Sequence, residues 1–210
     1  ICTAQVLLAI ISCFYAMYHG PKGLESIAKK IIYFRNKFEK FLQRLGYEID
    51  SFDKFDTIEV KCKNAPQIHK LALQKGFNLR VLPLNVSIDK ATGFGIAFDE
   101  LINQNEFLKL QSIFDTEINE FSQNHKSNEE EDLFSLFNEI PLRTQNWLKQ
   151  EPFNRYQSET QMMRFIDSLA RKDFSLVDGM IPLGSCTMKL NSAAELNPIS
   201  WKEFSSIHPF

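Results

Sequence analysis

The residues best suited to chemistry lie together near the carboxyl end, in Met180-Ile-Pro-Leu-Gly-Ser-Cys-Thr-Met-Lys-Leu-Asn191. Gly184, Ser185, Cys186 and Thr187 follow one another without a break. All four are small, so their backbone amides can come close to a bound group. Successive exposed amides form an anion-binding concavity. Ser185 and Thr187 add hydroxyl donors, Cys186 a thiol and Lys189 a positive charge, and Asn191 can orient a neighbour. The chemistry implied is capture of a carboxylate or a phosphate. The same residues also fit a Gly-Ser turn between two elements, because turns favour that composition. His208, just before Pro209, is a further candidate for the cleft and suits a plain turn equally well.

Other reactive residue types point elsewhere. Four cysteines stand at 2, 13, 62 and 186 without a Cys-x-x-Cys, and no histidine pair has zinc-like spacing. Neither structural disulfides nor a metal is expected, and a reducing compartment is the default. A nucleophilic Cys186 would need a depressed pKa that nothing in the sequence supplies; a buried small residue is the usual fate of a cysteine. His19 precedes Gly20 at a helix end, where it favours the helix dipole. Arg164 is expected to pair on a helix surface. With 24 basic and 26 acidic residues the net charge is −2, which leaves no basic footprint for nucleic acid.

The elements that must position these residues can be read from the apolar periodicity. Ile1 to Tyr18 holds no Asp, Glu, Lys or Arg. As a membrane span it is marginal in length, Thr3, Gln5 and Ser12 dilute it, and no basic region precedes it as a signal peptide requires. Its helix is predicted to stop at Gly20, with Pro21 opening the next. A second helix is predicted over about 22–45. There Leu24, Ile27, Ala28, Ile31, Phe34, Phe38, Phe41, Leu42 and Leu45 recur every three or four residues. Strand-like runs follow at 47–50, 57–62, 77–82, 86–89 and 93–98, the last broken at its glycines. Helices are predicted from Asn64-Ala-Pro66 to Gly76 and over about 105–121. Helices mixed with strands in this order indicate an α/β layer.

Residues 122–132, with Glu129-Glu-Glu-Asp132, read as a solvated connector. Pro141 interrupts 133–150, where Trp147 is expected to anchor the chain to a surface. Ser158-Glu-Thr-Gln161 has capping-box spacing. Met162, Phe165, Ile166 and Leu169 then give the apolar face of a helix ending near Lys172.

The 180–191 stretch, Ser158-Glu-Thr-Gln-Met-Met-Arg-Phe165 and Trp201-Lys-Glu-Phe-Ser-Ser-Ile-His-Pro-Phe210 together resemble the P-protein family of the glycine cleavage system. That family comprises pyridoxal-phosphate-dependent glycine dehydrogenases (decarboxylating). Ile1-Cys-Thr-Ala-Gln-Val-Leu-Leu-Ala9 and Tyr18-His-Gly-Pro-Lys-Gly-Leu24 resemble a second family stretch, from the end of its first half. Residues of about 50–145 are similar mainly in pattern. With Ile1 inside a helical pattern and Phe210 ending without a polar tail, the chain reads as an internal piece of a longer protein.

The resemblance implies a partial fold-type-I pyridoxal-phosphate enzyme of α/β class. Residues 1–125 would be the end of the first half, with its small C-terminal domain. Residues 126–150 would be a connector and 151–210 the N-terminal segment of the second half. The opening helix would then be buried in the fold, and the two homologous halves, separate subunits in some members, would share one chain. The family's Schiff-base lysine follows a histidine in a His-Lys-Thr-Phe-like segment. Neither His69-Lys70 nor His125-Lys126 continues with Thr-Phe, and Lys189 does not match either. That lysine is expected beyond Phe210, so no catalytic residue is assigned here and this piece alone should be inactive. Ser185, Cys186, Thr187, Lys189, Asn191 and His208 are the expected contributors to a substrate or cofactor pocket.

The implied cofactor is pyridoxal 5'-phosphate. The implied partners are glycine, a lipoylated H-protein and a second copy in a homodimer, with no nucleic acid and no membrane. The expected location is bacterial cytoplasm, or the mitochondrial matrix in a eukaryote. Two other readings stand beside this one: a non-catalytic interaction or assembly module derived from the fold, and a membrane-anchored binding protein led by residues 1–18.

Overall fold

The computed structural model describes residues 5–49, 55–114, 143–175, 178–179 and 192–207. The chain is mixed α/β and divides into two compact units, Lys22–Asn146 and Ile1–Pro21 with Trp147–Phe210. Helix α1 (Gln5–Arg44) contributes to both and is broken at Gly20, whose φ of 61° and ψ of −179° are not helical. The stop read from Gly20-Pro21 is therefore present as a break between two helical runs.

The unit of residues 22–146 is built on a three-stranded antiparallel sheet of β1 (Thr57–Lys61), β2 (Arg80–Leu82) and β3 (Gly93–Ala97), in the order β1-β3-β2. Ile58 pairs with Ile96, and Val60 and Val81 with Phe94. Strand β1 shows why it forms: Ile58 and Val60 are fully buried while Lys61 is exposed, the period-two signature of a half-buried strand. Ile31, Phe34, Phe38 and Leu42 of α1, three or four residues apart, present one stripe to the same core. Helix α2 (Ala65–Gln74), with proline in its first turn, adds Ile68 and Ala72. Helix α3 (Gln104–Gln111) adds Phe107 and Leu110. The Phe38 ring lies 5.8 Å from Phe98, 5.8 Å from Phe107 and 6.0 Å from Phe114, within the range where aromatic rings attract edge to face.

Three expectations for this unit change. Strand β3 runs unbroken through its glycines, because they face close neighbours: a Cβ on Gly93 would lie 2.3 Å from the carbonyl oxygen of Val60. The predicted strand at 86–89 is instead a 3-10 turn, Ile88–Lys90. There Lys90 donates to Ser87 at 2.9 Å and Ala91 to Ile88 at 3.0 Å, so the backbone is satisfied locally. The alternation of Val86 and Ile88 with polar residues imitated a strand. Helix α3 gives way at Ser112 to a 3-10 turn through Phe114; its predicted continuation to 121 and the 122–132 connector lie outside the described residues.

The other unit joins the start of α1 to α4 (Pro152–Arg155), α5 (Glu159–Ala170), α6 (Ala193–Ser200) and α7 (Lys202–Ser205). Ser158 caps α5 by accepting from the Gln161 amide at 3.4 Å, the first half of the capping box its spacing predicts, while the Gln161 side chain accepts from the Ser158 hydroxyl at 3.2 Å and not from its amide. Met162 is buried, and Phe165 stacks on Tyr156 at 4.0 Å and meets Phe14 edge-on at 6.4 Å. Ile166 and Leu169, predicted on the same apolar face, are exposed. Trp147 is half-buried. A Cβ on Gly20 would come within 2.8 Å of the Phe153 carbonyl oxygen, so the break in α1 is also a point of close approach.

Candidate functional site

Ser185, Cys186, Thr187, Lys189, Asn191 and His208 lie outside the described residues. The structure describes both flanks of the 180–191 stretch. On the upstream side α5 ends at Ala170, and the Asp178 amide donates to Ser175 at 3.0 Å to close a turn. Gly179 follows against the ring of Phe174, whose Cζ would sit 2.7 Å from an added Cβ.

The downstream flank starts directly after Asn191. The Ser192 hydroxyl accepts from the Glu195 amide at 3.3 Å, and the Glu195 carboxylate accepts from the Ser192 amide at 3.3 Å. This is a complete capping box that the sequence analysis did not single out, although Ser192-x-x-Glu195 carries its signal. Two amides at the start of α6 are thereby committed to the helix's own side chains. Further on, Lys202, Glu203, Ser206 and Ile207 border a shallow, open depression immediately before His208.

His69 and Lys70 occupy different environments. His69 is 2% exposed, and its Nε2 donates to the carbonyl oxygen of Gly93 at 3.1 Å. Because a carbonyl only accepts, Nε2 must carry the proton. Lys70, one residue on, points to solvent and pairs with Asp89 at 2.8 Å. The hydrogen bond from Lys70, and then its charge, hold the Asp89 carboxyl below its ordinary range. His69 thus belongs to the core and Lys70 to the surface. His125-Lys126 lies outside the described residues.

The core role of His69 was missed by considering it only as the neighbour of a lysine. The available signal was its place on the buried face of α2, with Ala65, Ile68 and Ala72. His19 lies 4.4 Å from the Tyr15 ring and 5.4 Å from the Tyr18 ring, beside the break in α1. Arg164 is exposed. Among the described residues, no cluster of three or more His, Cys, Asp or Glu could hold a metal. Cys13 is exposed and Cys62 half-buried.

Residues 1–114 match the family described as Glycine cleavage system P-protein. Over its full length the chain is 57% identical to the glycine dehydrogenase (decarboxylating) of Prochlorococcus marinus, covering 22% of that protein. It is 49% identical to the corresponding protein of a Synechococcus species, again covering 22%. It is 42% identical to that of Aliivibrio fischeri, covering 21%. In each case the match takes in 100% of this chain. The chain therefore spans about a fifth of the length of the curated relatives it matches.

Proposed function

The chain belongs to the glycine cleavage system P-protein family, and on that premise we propose that it is one piece of a pyridoxal-phosphate-dependent glycine decarboxylase. The observation that carries this reading is the end-to-end likeness, 57% identity across 100% of the chain, to a glycine dehydrogenase (decarboxylating). The proposed reaction releases the glycine carboxylate as CO2. It passes the aminomethyl carbon to the lipoyl arm of an H-protein, whose disulfide is reduced. The cofactor, when bound, supplies the electron sink for the pair left by the departing carboxylate.

The donors of the 184–191 stretch suit one part of that task. Two hydroxyls, successive amides and an ammonium match a phosphate or a carboxylate in charge and hydrogen-bonding sense. Ser185 and Thr187 donate to the anion, Lys189 balances its charge, Asn191 orients a neighbour and His208 lines the cleft. Lys70, the described lysine that follows a histidine, is engaged with Asp89 at the surface. Attachment of the cofactor aldehyde falls to a lysine beyond Phe210, so the 210 residues alone are inactive.

In this reading the sheet unit is the small domain closing the first half of a fused, fold-type-I chain. Residues 126–150 join it to the opening of the second half. The working protein is a homodimer in bacterial cytoplasm, or in the mitochondrial matrix of a eukaryote. The test is exchange of labelled bicarbonate into the glycine carboxyl by the complete protein with its H-protein. Exchange that requires glycine, H-protein and cofactor is expected. A folded complete protein that supports none would favour the assembly-module reading.

A further inference from the structure

Asp178-Gly179 is the one Asp-Gly pair in the sequence, and no Asn-Gly occurs. It lies in a turn directly upstream of the 180–191 stretch, with Asp178 exposed and Gly179 half-buried. The Asp178 amide closes the turn on Ser175 at 3.0 Å. The Phe174 ring fills the space of a side chain at 179, its Cζ 2.7 Å from an added Cβ, so the position is held for glycine.

What sets Asp178 apart is its carboxylate. Among the described residues the other aspartates are all engaged. Asp56 accepts from the Thr57 hydroxyl at 2.8 Å, Asp99 from the Leu101 amide at 2.8 Å and Asp173 from the Phe174 amide at 2.7 Å. Asp89 pairs with Lys70 at 2.8 Å and Asp167 with Arg171 at 2.9 Å. Each of them is followed by a residue that carries a side chain. Among the described residues Asp178 alone of the aspartates has no hydrogen-bond or ion-pair partner for its carboxylate, and the Gly179 amide donates to nothing there. Both partners of a ring closure are therefore unoccupied, and glycine has no Cβ to hinder approach to its nitrogen.

We propose that Asp178–Gly179 is a site of spontaneous isomerisation, where Asp178 converts to isoaspartate through a succinimide. The Gly179 nitrogen bonds to Cγ of the neutral Asp178 carboxyl, and the amide hydrogen leaves with the carboxyl hydroxyl as water. A second water then opens the ring by breaking one of its two C–N bonds. Breaking the bond to the Asp178 backbone carbonyl carbon leaves the chain running through Cβ and Cγ, with the α-carboxylate free. One water is lost and one regained, and nothing is oxidised or reduced. An ion pair keeps a carboxyl charged and so slows the first step, which separates Asp89 and Asp167 from Asp178. The product carries an extra methylene in the backbone just ahead of Met180. The inference rests on the turn and not on the reaction proposed for the family.

The experiment holds the complete protein folded at physiological temperature and neutral pH and then digests it. Electron-transfer mass spectrometry identifies isoaspartate by cleavage of its Cα–Cβ bond. Isoaspartate at 178 should accumulate about tenfold or more faster than at Asp89 or Asp173, the ratio that a modest difference in barrier gives. Asp178→Glu keeps the charge and the glycine but requires a larger ring. In that variant, methyl transfer by a protein-isoaspartyl methyltransferase to the peptide carrying residue 178 should disappear. Formation at 178 no faster than at Asp89, formation only after unfolding in urea, or methyl transfer unchanged in Asp178→Glu would each overturn the proposal. Bicarbonate exchange plays no part in the readout, so failure of the activity reading leaves this result standing, and the reverse.

Discussion

The ring of His69 donates from Nε2 to the carbonyl oxygen of Gly93 at 3.1 Å, tying helix α2 to the central strand of the sheet. The bond lies at the strand end where Gly93 also lets the Val60 carbonyl approach. His69→Leu would leave that carbonyl without its ring donor in a buried place. The expected cost is about 1–3 kcal/mol. Amide exchange of Phe94 and Ile96 in the complete protein measures it, and exchange unchanged from the natural protein would refute the role given to the ring.

The two glycines of β3 are predicted to differ sharply. On Gly93 a Cβ would meet backbone, the Val60 oxygen at 2.3 Å. On Gly95 it would meet the Arg80 side chain at 3.3 Å, which can shift. Gly93→Ala should cost about 2 kcal/mol or more, and Gly95→Ala about 1 kcal/mol or less. The same exchange measurement ranks them.

Phe38 is fully buried among Phe41, Phe98, Phe107 and Phe114. Phe38→Ala should cost about 3–5 kcal/mol, a large share of the roughly 5–15 kcal/mol that holds a domain. Limited proteolysis should then cut within 22–114. Resistance equal to that of the natural protein would show that the ring cluster is not the centre of this core.

Much of the described fold was legible because its signals are local and periodic. The α1 stripe, the alternation of Ile58 and Val60, Pro66 at the start of α2 and the Ser158 cap each follow from neighbours a few residues apart. The errors came where distant chain decides. Val86 and Ile88 alternate like a strand, yet the backbone closes on itself. Gly93 and Gly95 look like breaks until the approach of Val60 and Arg80 is seen. His69 shows its core role only once β3 is placed against it. For the expected pocket residues the sequence offers composition only. Residues 184–191 have no apolar period to fix their path.

The Lys70–Asp89 pair gives a prediction in pH. The lysine lowers the Asp89 carboxyl, so the folded-state value lies below the unfolded one. Whatever the pair contributes is present above the unfolded value and is lost as pH falls through the folded one. Both side chains are largely exposed, at 61% and 74%, so the contribution is small and screened by salt. In Lys70→Met the Asp89 value should return toward 3.8. A carboxyl-detected NMR titration reads it, and an unchanged midpoint would contradict the pairing.

For the pocket, Thr187→Val in the complete protein keeps shape and removes a donor. A hydrogen bond to an anion is worth enough that turnover should fall by about 10- to 100-fold with folding nearly intact. Unchanged glycine–bicarbonate exchange would remove Thr187 from the site.

The most direct test locates the cofactor's lysine. The complete protein, reduced with borohydride and digested, should yield a pyridoxyl-modified lysine in a peptide beyond Phe210. A label on Lys70, Lys126 or Lys189, or none on any lysine of a protein isolated with cofactor present, would contradict the account.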